Sequence, residues 1–166
     1  LARDFDPTGF DADAWAGLAA DAGMRYLVIT AKHHDGFAMF HSRADAFNIL
    51  DATPFGRDPI RELAAACATR GLRFGVYYSQ AQDWHAPGGA IWKGRHESGP
   101  DYGGARWDPR QEGDFDAYLR RKALPQVREL LGGYGPIAIV WFDTPLDVMT
   151  PRSEERRVGK ECRSRW

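Results

Sequence analysis

Cysteine is scarce in this sequence. Cys67 and Cys162 are the only two in 166 residues, too few for the disulfide framework that staples small secreted domains. Cys67 stands among alanines, where a small buried hydrophobe fits. No run approaches the roughly twenty apolar residues that a membrane-spanning helix needs. The opening Leu1-Ala2-Arg3-Asp4-Phe5-Asp6-Pro7 lacks the basic-then-apolar order of a signal peptide. Because Leu1 stands where an initiator Met is usual, the chain is expected to start inside a longer protein, which leaves the compartment open. Neither sign of charge dominates: 22 Lys and Arg face 23 Asp and Glu, and the basic residues are scattered over the first 150 positions. That distribution excludes a basic stripe for nucleic acid or an anionic membrane surface, so neither is expected as a partner. Phosphate-loop signatures are absent as well, since neither G-x-G-x-x-G nor G-x-x-x-x-G-K-[ST] occurs.

What is present is a core-forming composition, 43% apolar with six Trp, six Tyr and nine Phe. It is arranged in a rhythm of amphipathic helix, glycine and apolar strand that occurs three times. In the first unit Trp15, Leu18, Ala19 and Ala22 share one helical face, Asp11 or Asp13 caps the start, and Gly23 ends it before a strand over Tyr26 to Thr30. In the second, Ile60, Leu63, Ala64 and Cys67 repeat the spacing behind an Asp58 cap and Pro59, and Gly71 precedes a strand from about Arg73 to Tyr78. In the third, Val127, Leu130, Leu131 and Tyr134 lead to a strand over Ile137 to Phe142, with Pro125 separating this helix from an earlier turn around Phe115, Tyr118 and Leu119. Strands apolar on both alternations read as parallel and covered on both faces, which makes the fold class α/β. Periodicity does not choose between a barrel and an open sheet. The missing phosphate loop tilts the reading toward the barrel.

Each strand ends in polar residues: Lys32-His33-His34-Asp35, Tyr77-Tyr78-Ser79, and Trp141-Phe142-Asp143. Sites in α/β folds form at the carboxyl ends of strands, so these groups are expected to converge. Aromatic faces, hydroxyl-binding His and Tyr, and a single carboxylate suit a sugar. The long connection from residue 79 to 113, with Trp84 and His85 as a candidate leaving-group wall, reads as the rim of that site. Plainer readings stand beside each residue. Asp143 could cap a helix, the adjacent histidines could be surface residues, and Trp84 could anchor its own loop. Tyr77 and Tyr78 face opposite ways on a strand, so one can meet ligand while the other packs under helices. A metal is not expected at His33, His34 and Asp35, because adjacent extended positions diverge and no spaced third ligand follows.

In order and spacing, Ala31-Lys32-His33-His34-Asp35-Gly36-Phe37, Pro54-Phe55-Gly56-Arg57-Asp58, Phe74-Gly75-Val76-Tyr77-Tyr78-Ser79, Asp83-Trp84-His85 and Trp141-Phe142-Asp143 resemble the α-L-fucosidases of glycoside hydrolase family 29. The resemblance covers about residues 5 to 150. It implies a (β/α)8 TIM-like barrel, of which about three strand/helix units lie here, and exo-release of terminal α-L-fucose with retention. It implies Asp143 as nucleophile and His33, His34 and Tyr77 as sugar binders; Trp84, His85 and Trp141 complete the expected substrate site, and no cofactor is expected. A fucosylated oligosaccharide or glycoconjugate would be the partner, and a secreted, periplasmic or lysosomal parent is compatible with it. Thr144 departs from the family's usual Gly. The family's acid/base Glu lies beyond the nucleophile strand: Glu97 sits in an unpatterned loop, and Glu129 is expected on the outer face of its helix. The segment alone is therefore expected to be inactive. A non-catalytic carbohydrate-binding paralogue and a hydrolase of another L-sugar are the alternatives.

After Pro151 the composition shifts to Arg152-Ser153-Glu154-Glu155-Arg156-Arg157 and onward to Trp166. That run resembles the translated start of a common sequencing adapter. Residues 1–151 are accordingly expected to be a partial catalytic barrel and 152–166 a non-native tail. Without the tail, 16 basic residues face 20 acidic ones.

Overall fold

A computed structural model describes residues 1–89 and 112–143. The expectations for Glu97, for Thr144, for the middle of the long connection and for the tail therefore lie outside the described residues.

A short 3-10 turn, Ala2–Asp4, precedes helix α1, Ala12–Asp21, whose Asp11 side chain accepts from the Ala14 amide. Strand β1 spans Tyr26–Lys32, two residues beyond its expected end. A single helical turn, α2 (Ile49–Ala52), leads to α3, Pro59–Thr69. Here Asp58 caps the Arg61 amide and Pro59 sits in the first turn, where its missing N–H is no loss. Strand β2 is Arg73–Tyr78. Helix α4 (Phe115–Tyr118) runs through a π-helical stretch, Leu119–Ala123, into α5, Leu124–Gly133, and β3 follows at Ile137–Phe142. Pro125 was expected to separate the third helix from an earlier turn around Phe115, Tyr118 and Leu119. The chain instead widens to π spacing just ahead of it, which accommodates a residue without an amide donor and keeps the helical path continuous.

The strands form one parallel sheet in the order β1-β2-β3. Parallel neighbours need a crossover, and α3 and α5 supply them. The register shifts between Phe74 and Gly75 opposite β3, where the strands approach so closely that a Cβ on Gly75 would lie 2.8 Å from Ile139 Cβ. Ile60, Leu63 and Cys67 on α3, Val76 on β2 and Leu130 on α5 are sealed from solvent or nearly so. Each such aliphatic contributes roughly 1.5–3 kcal/mol on burial.

Three expectations need correcting. First, α1 buries Ala12, Ala16 and Ala19, while Trp15 and Leu18 remain 52% and 73% exposed. Its small side chains let it lie close against α3, and Trp15 packs edge-on against Phe10 instead. Second, only the central strand β2 is buried on both faces; β1 and β3, which each have one neighbour in the sheet, are partly open. Third, Glu129 does not face outward. Its Oε1 accepts from the Arg43 amide at 3.0 Å and its Oε2 is buried, so this helical face meets the loop after β1 rather than water.

Candidate active site

The carboxyl ends of the three strands bring their polar residues together. Parallel register sets Tyr77 beside Trp141 on adjacent strands, and their rings meet edge-on at 5.8 Å. Alternation along β2 turns Tyr77 toward the strand ends and Tyr78 under the helices, where its hydroxyl donates to Gln126 Oε1 at 2.7 Å. Tyr77 Oη donates to Asp143 Oδ2 at 2.6 Å, and His34 Nε2 lies 3.6 Å from the same oxygen. The Asp143 side chain is 38% exposed, so solvent reaches this carboxylate.

His33 stacks on Tyr77, with centroids 5.5 Å apart, and its ring is 4.2 Å from that of His34. His34 Nδ1 meets Ser79 Oγ at 2.7 Å. Burial, with the neighbouring His33, pulls the His34 pKa below the ordinary histidine value, and the opposing pull of Asp143 does not reverse it. Burial, the hydrogen bond to Asp143 and that carboxylate's charge push the Tyr77 phenol upward, so it stays a neutral donor.

Trp84 is 41% exposed and its ring lies 6.0 Å from that of His34. Its amide donates to the His34 carbonyl at 2.7 Å, which ties the loop after β2 to the loop after β1. His85 turns elsewhere and stacks on Phe47 at 4.0 Å. Trp141 is 60% exposed. Of the seven residues singled out from the sequence, His33, His34, Tyr77, Trp84, Trp141 and Asp143 form one contiguous group, and His85 lies beside it.

Sequence reasoning missed the ionic node next to this group. Lys32, fully buried, directs its three ammonium donors to Asp83 Oδ2 at 3.2 Å, the Gln82 carbonyl at 3.2 Å and Tyr118 Oη at 3.1 Å. Lys122 Nζ reaches the same Asp83 oxygen at 2.8 Å, Asp45 Oδ2 at 2.5 Å and the Gly36 carbonyl at 3.1 Å. Asp83 Oδ1 accepts from the amides of His85 and Ala86 at 3.1 and 2.8 Å. Burial raises the Asp83 pKa, but two lysines and these hydrogen bonds outweigh it and the net shift is downward. Burial lowers Lys32 to about 8 despite its pairing with Asp83. Gly36, at φ +82°, is pressed against this carboxylate: a Cβ there would sit 2.2 Å from Asp83 Oδ1. The only signal in the sequence was a lysine at the end of an apolar strand and an aspartate one residue before Trp84.

Among the described residues, no three His, Cys, Asp or Glu side chains gather closely enough to hold a metal ion. No described helix is long and apolar enough to cross a membrane.

Mouse tissue alpha-L-fucosidase is 31% identical over 144 residues, which cover 86% of this chain and 28% of the mouse protein. Human plasma alpha-L-fucosidase is 31% identical over 141 residues, 81% of this chain and 25% of its own length. Among solved structures, alpha-L-fucosidase AlfC from Lactobacillus casei in complex with alpha-L-fucose product aligns with a TM-score of 0.79 at 42% identity, covering 98% of this chain and 51% of that one. The alpha-L-fucosidase from Vibrio sp. strain EJY3 aligns at 0.77 with 44% identity, covering 98% and 26%. The chain thus spans about a quarter of these two curated relatives. The family model described as Alpha-L-fucosidase matches residues 1–163, and the chain belongs to that family.

Proposed function

We propose that this segment is part of the catalytic domain of a retaining exo-glycosidase that releases terminal α-L-fucose from fucosylated oligosaccharides or glycoconjugates. The observation that carries the reading is the Asp143 carboxylate, held by Tyr77 at 2.6 Å and left 38% exposed at the strand ends. Asp143 attacks the anomeric carbon of fucose while a second carboxyl group, supplied from outside this segment, protonates the departing glycosidic oxygen. The bond to the aglycone breaks as the ester to Asp143 forms. The second group, now a carboxylate about 5–5.5 Å away, then takes a proton from water, whose oxygen displaces Asp143 and releases fucose of the original configuration.

His33 and His34 bind ring hydroxyls, Tyr77 orients the carboxylate, and Trp84 and Trp141 offer aromatic faces to the sugar and its leaving group; His85 supports the Trp84 loop from its stack on Phe47. The relatives' names and the fucose-bound Lactobacillus casei structure favour this sugar. The same reading makes the sheet part of a (β/α)8 barrel. The open faces of β1 and β3, with Tyr26 and Trp141 more than half exposed, suit strands that further strands and helices cover in a longer protein. Residues 1–151 are then catalytic domain and 152–166 a non-native tail, which the parent gene's reading frame checks.

The test is turnover of an aryl α-L-fucoside by the full-length protein carrying this segment. Asp143→Ala should lower kcat by at least about 10³-fold while sugar binding persists. A wild-type protein that binds fucose without hydrolysing it would instead identify a carbohydrate-binding paralogue.

A further inference from the structure

The proton on His34 can be located from its neighbours. Ser79 is 1% exposed, so solvent does not replace its partners. Its Oγ lies 3.1 Å from the Gln82 carbonyl oxygen and 2.7 Å from His34 Nδ1. The Gln82 carbonyl can only accept, so both contacts of Ser79 are hydrogen bonds only when its hydroxyl donates to Gln82. In that arrangement Ser79 accepts from the imidazole, and the shared proton sits on Nδ1. The placement is rigid: the Ser79 amide donates to the Lys32 carbonyl at 2.9 Å and the Trp84 amide to the His34 carbonyl at 2.7 Å, so both backbones are pinned on either side of the contact.

We propose that Ser79 is a positioning residue that fixes the His34 proton on Nδ1 and leaves Nε2 as a bare acceptor for a substrate hydroxyl beside Asp143. The hydrogen bond made by one ring nitrogen sets the state of the other. In the opposite tautomer, Nε2–H would aim at Asp143 Oδ2, 3.6 Å away, the same oxygen that takes the Tyr77 hydroxyl. In that tautomer Nε2 has no lone pair to accept a substrate hydroxyl. In the tautomer set by Ser79, the imidazole lone pair and the carboxylate face each other. A substrate hydroxyl beside them can donate to Nε2. The low His34 pKa agrees, since burial keeps the ring neutral and a neutral ring must choose one tautomer.

The consequence for substrate rests on the fucosidase reading, whereas the tautomer does not. The experiment is a long-range proton–nitrogen correlation spectrum of the full-length protein labelled with 15N-histidine, recorded above the histidine pH range, with His34 assigned by its loss in His34→Gln. His34 should show Nδ1 protonated and Nε2 unprotonated. In Ser79→Ala the pattern should move toward Nε2–H, and kcat/KM for an aryl fucoside should fall roughly tenfold, as expected when an orienting partner is lost. A wild-type spectrum with the proton on Nε2, or an unchanged His34 pattern in Ser79→Ala, overturns the proposal. If the tautomer is as stated but the wild-type protein cleaves no fucoside, the functional reading fails and the role of Ser79 in placing the proton stands.

Discussion

Two aspartates at neighbouring strand ends are treated in opposite ways. Asp83 is completely buried, and one of its oxygens meets two lysines while the other takes two backbone amides. Asp143 is 38% exposed, and its contacts include a phenol and an imidazole held below its usual pKa. A carboxylate saturated by cations is stable and poor at attacking carbon. One steadied by a neutral donor keeps its charge available. The difference separates the group that holds the site together from the group proposed to react.

The contrast can be broken most severely at the node. Asp83→Ala leaves Lys32 and Lys122 buried without their common counter-charge, and the expected destabilisation is about 3–5 kcal/mol, read from urea unfolding of the full-length protein. A loss below about 1 kcal/mol, the range of an exposed ion pair, would mean the node is open to water. Next in size is Tyr77→Phe, which removes the donor 2.6 Å from Asp143 with little change in shape. A hydrogen bond to a charged group is worth about 1.5–3 kcal/mol, so kcat should fall about 10- to 100-fold while thermal stability holds. Undiminished kcat would remove Tyr77 from the account.

The smallest effect is on pH dependence. Folded Lys32 titrates at about 8 against 10.5 for an unperturbed lysine. Between these values the unfolded chain binds more protons than the folded one, so Lys32 makes stability rise with pH in that window. Below about 8 its burial penalty is present in full. Above about 10 the raised phenols of Tyr77 and Tyr134 act in the opposite sense, which confines the test to the lower part of the window. Stability measured from pH 8 to 10 should climb more steeply in the wild type than in Lys32→Met. Equal slopes would place the Lys32 ammonium in contact with solvent.

How much of this could be read from the sequence depends on the range of the interaction. The second unit was legible almost residue by residue, because Asp58, Pro59, Ile60, Leu63, Cys67 and Gly71 act within a few positions of one another. The meeting of His34, Tyr77 and Asp143 followed from a single rule about strand ends. The node was invisible because Lys32 and Asp83 are 51 positions apart and Lys122 lies in the π-helical stretch, and no periodicity marks a buried charge that finds its partner in the fold. The face of α1 was misplaced for a related reason. Large apolar residues dominate a helical pattern, yet alanines make the close contact with α3, and the choice belongs to the neighbour. Ser79 showed only as the last residue of a strand motif; its part depends on the carbonyl three residues on and the imidazole 45 residues back.

The claim on which most depends is that the oxygens of Asp143 form a bond to sugar carbon. Incubating the full-length protein with an activated 2-fluoro-fucoside, which slows hydrolysis of the ester more than its formation, and sequencing the labelled peptide by mass spectrometry tests this directly. The account predicts one fluorofucosyl group on Asp143 and loss of activity in step with labelling. Stoichiometric label on another carboxylate, or full turnover with no covalent adduct, would contradict it.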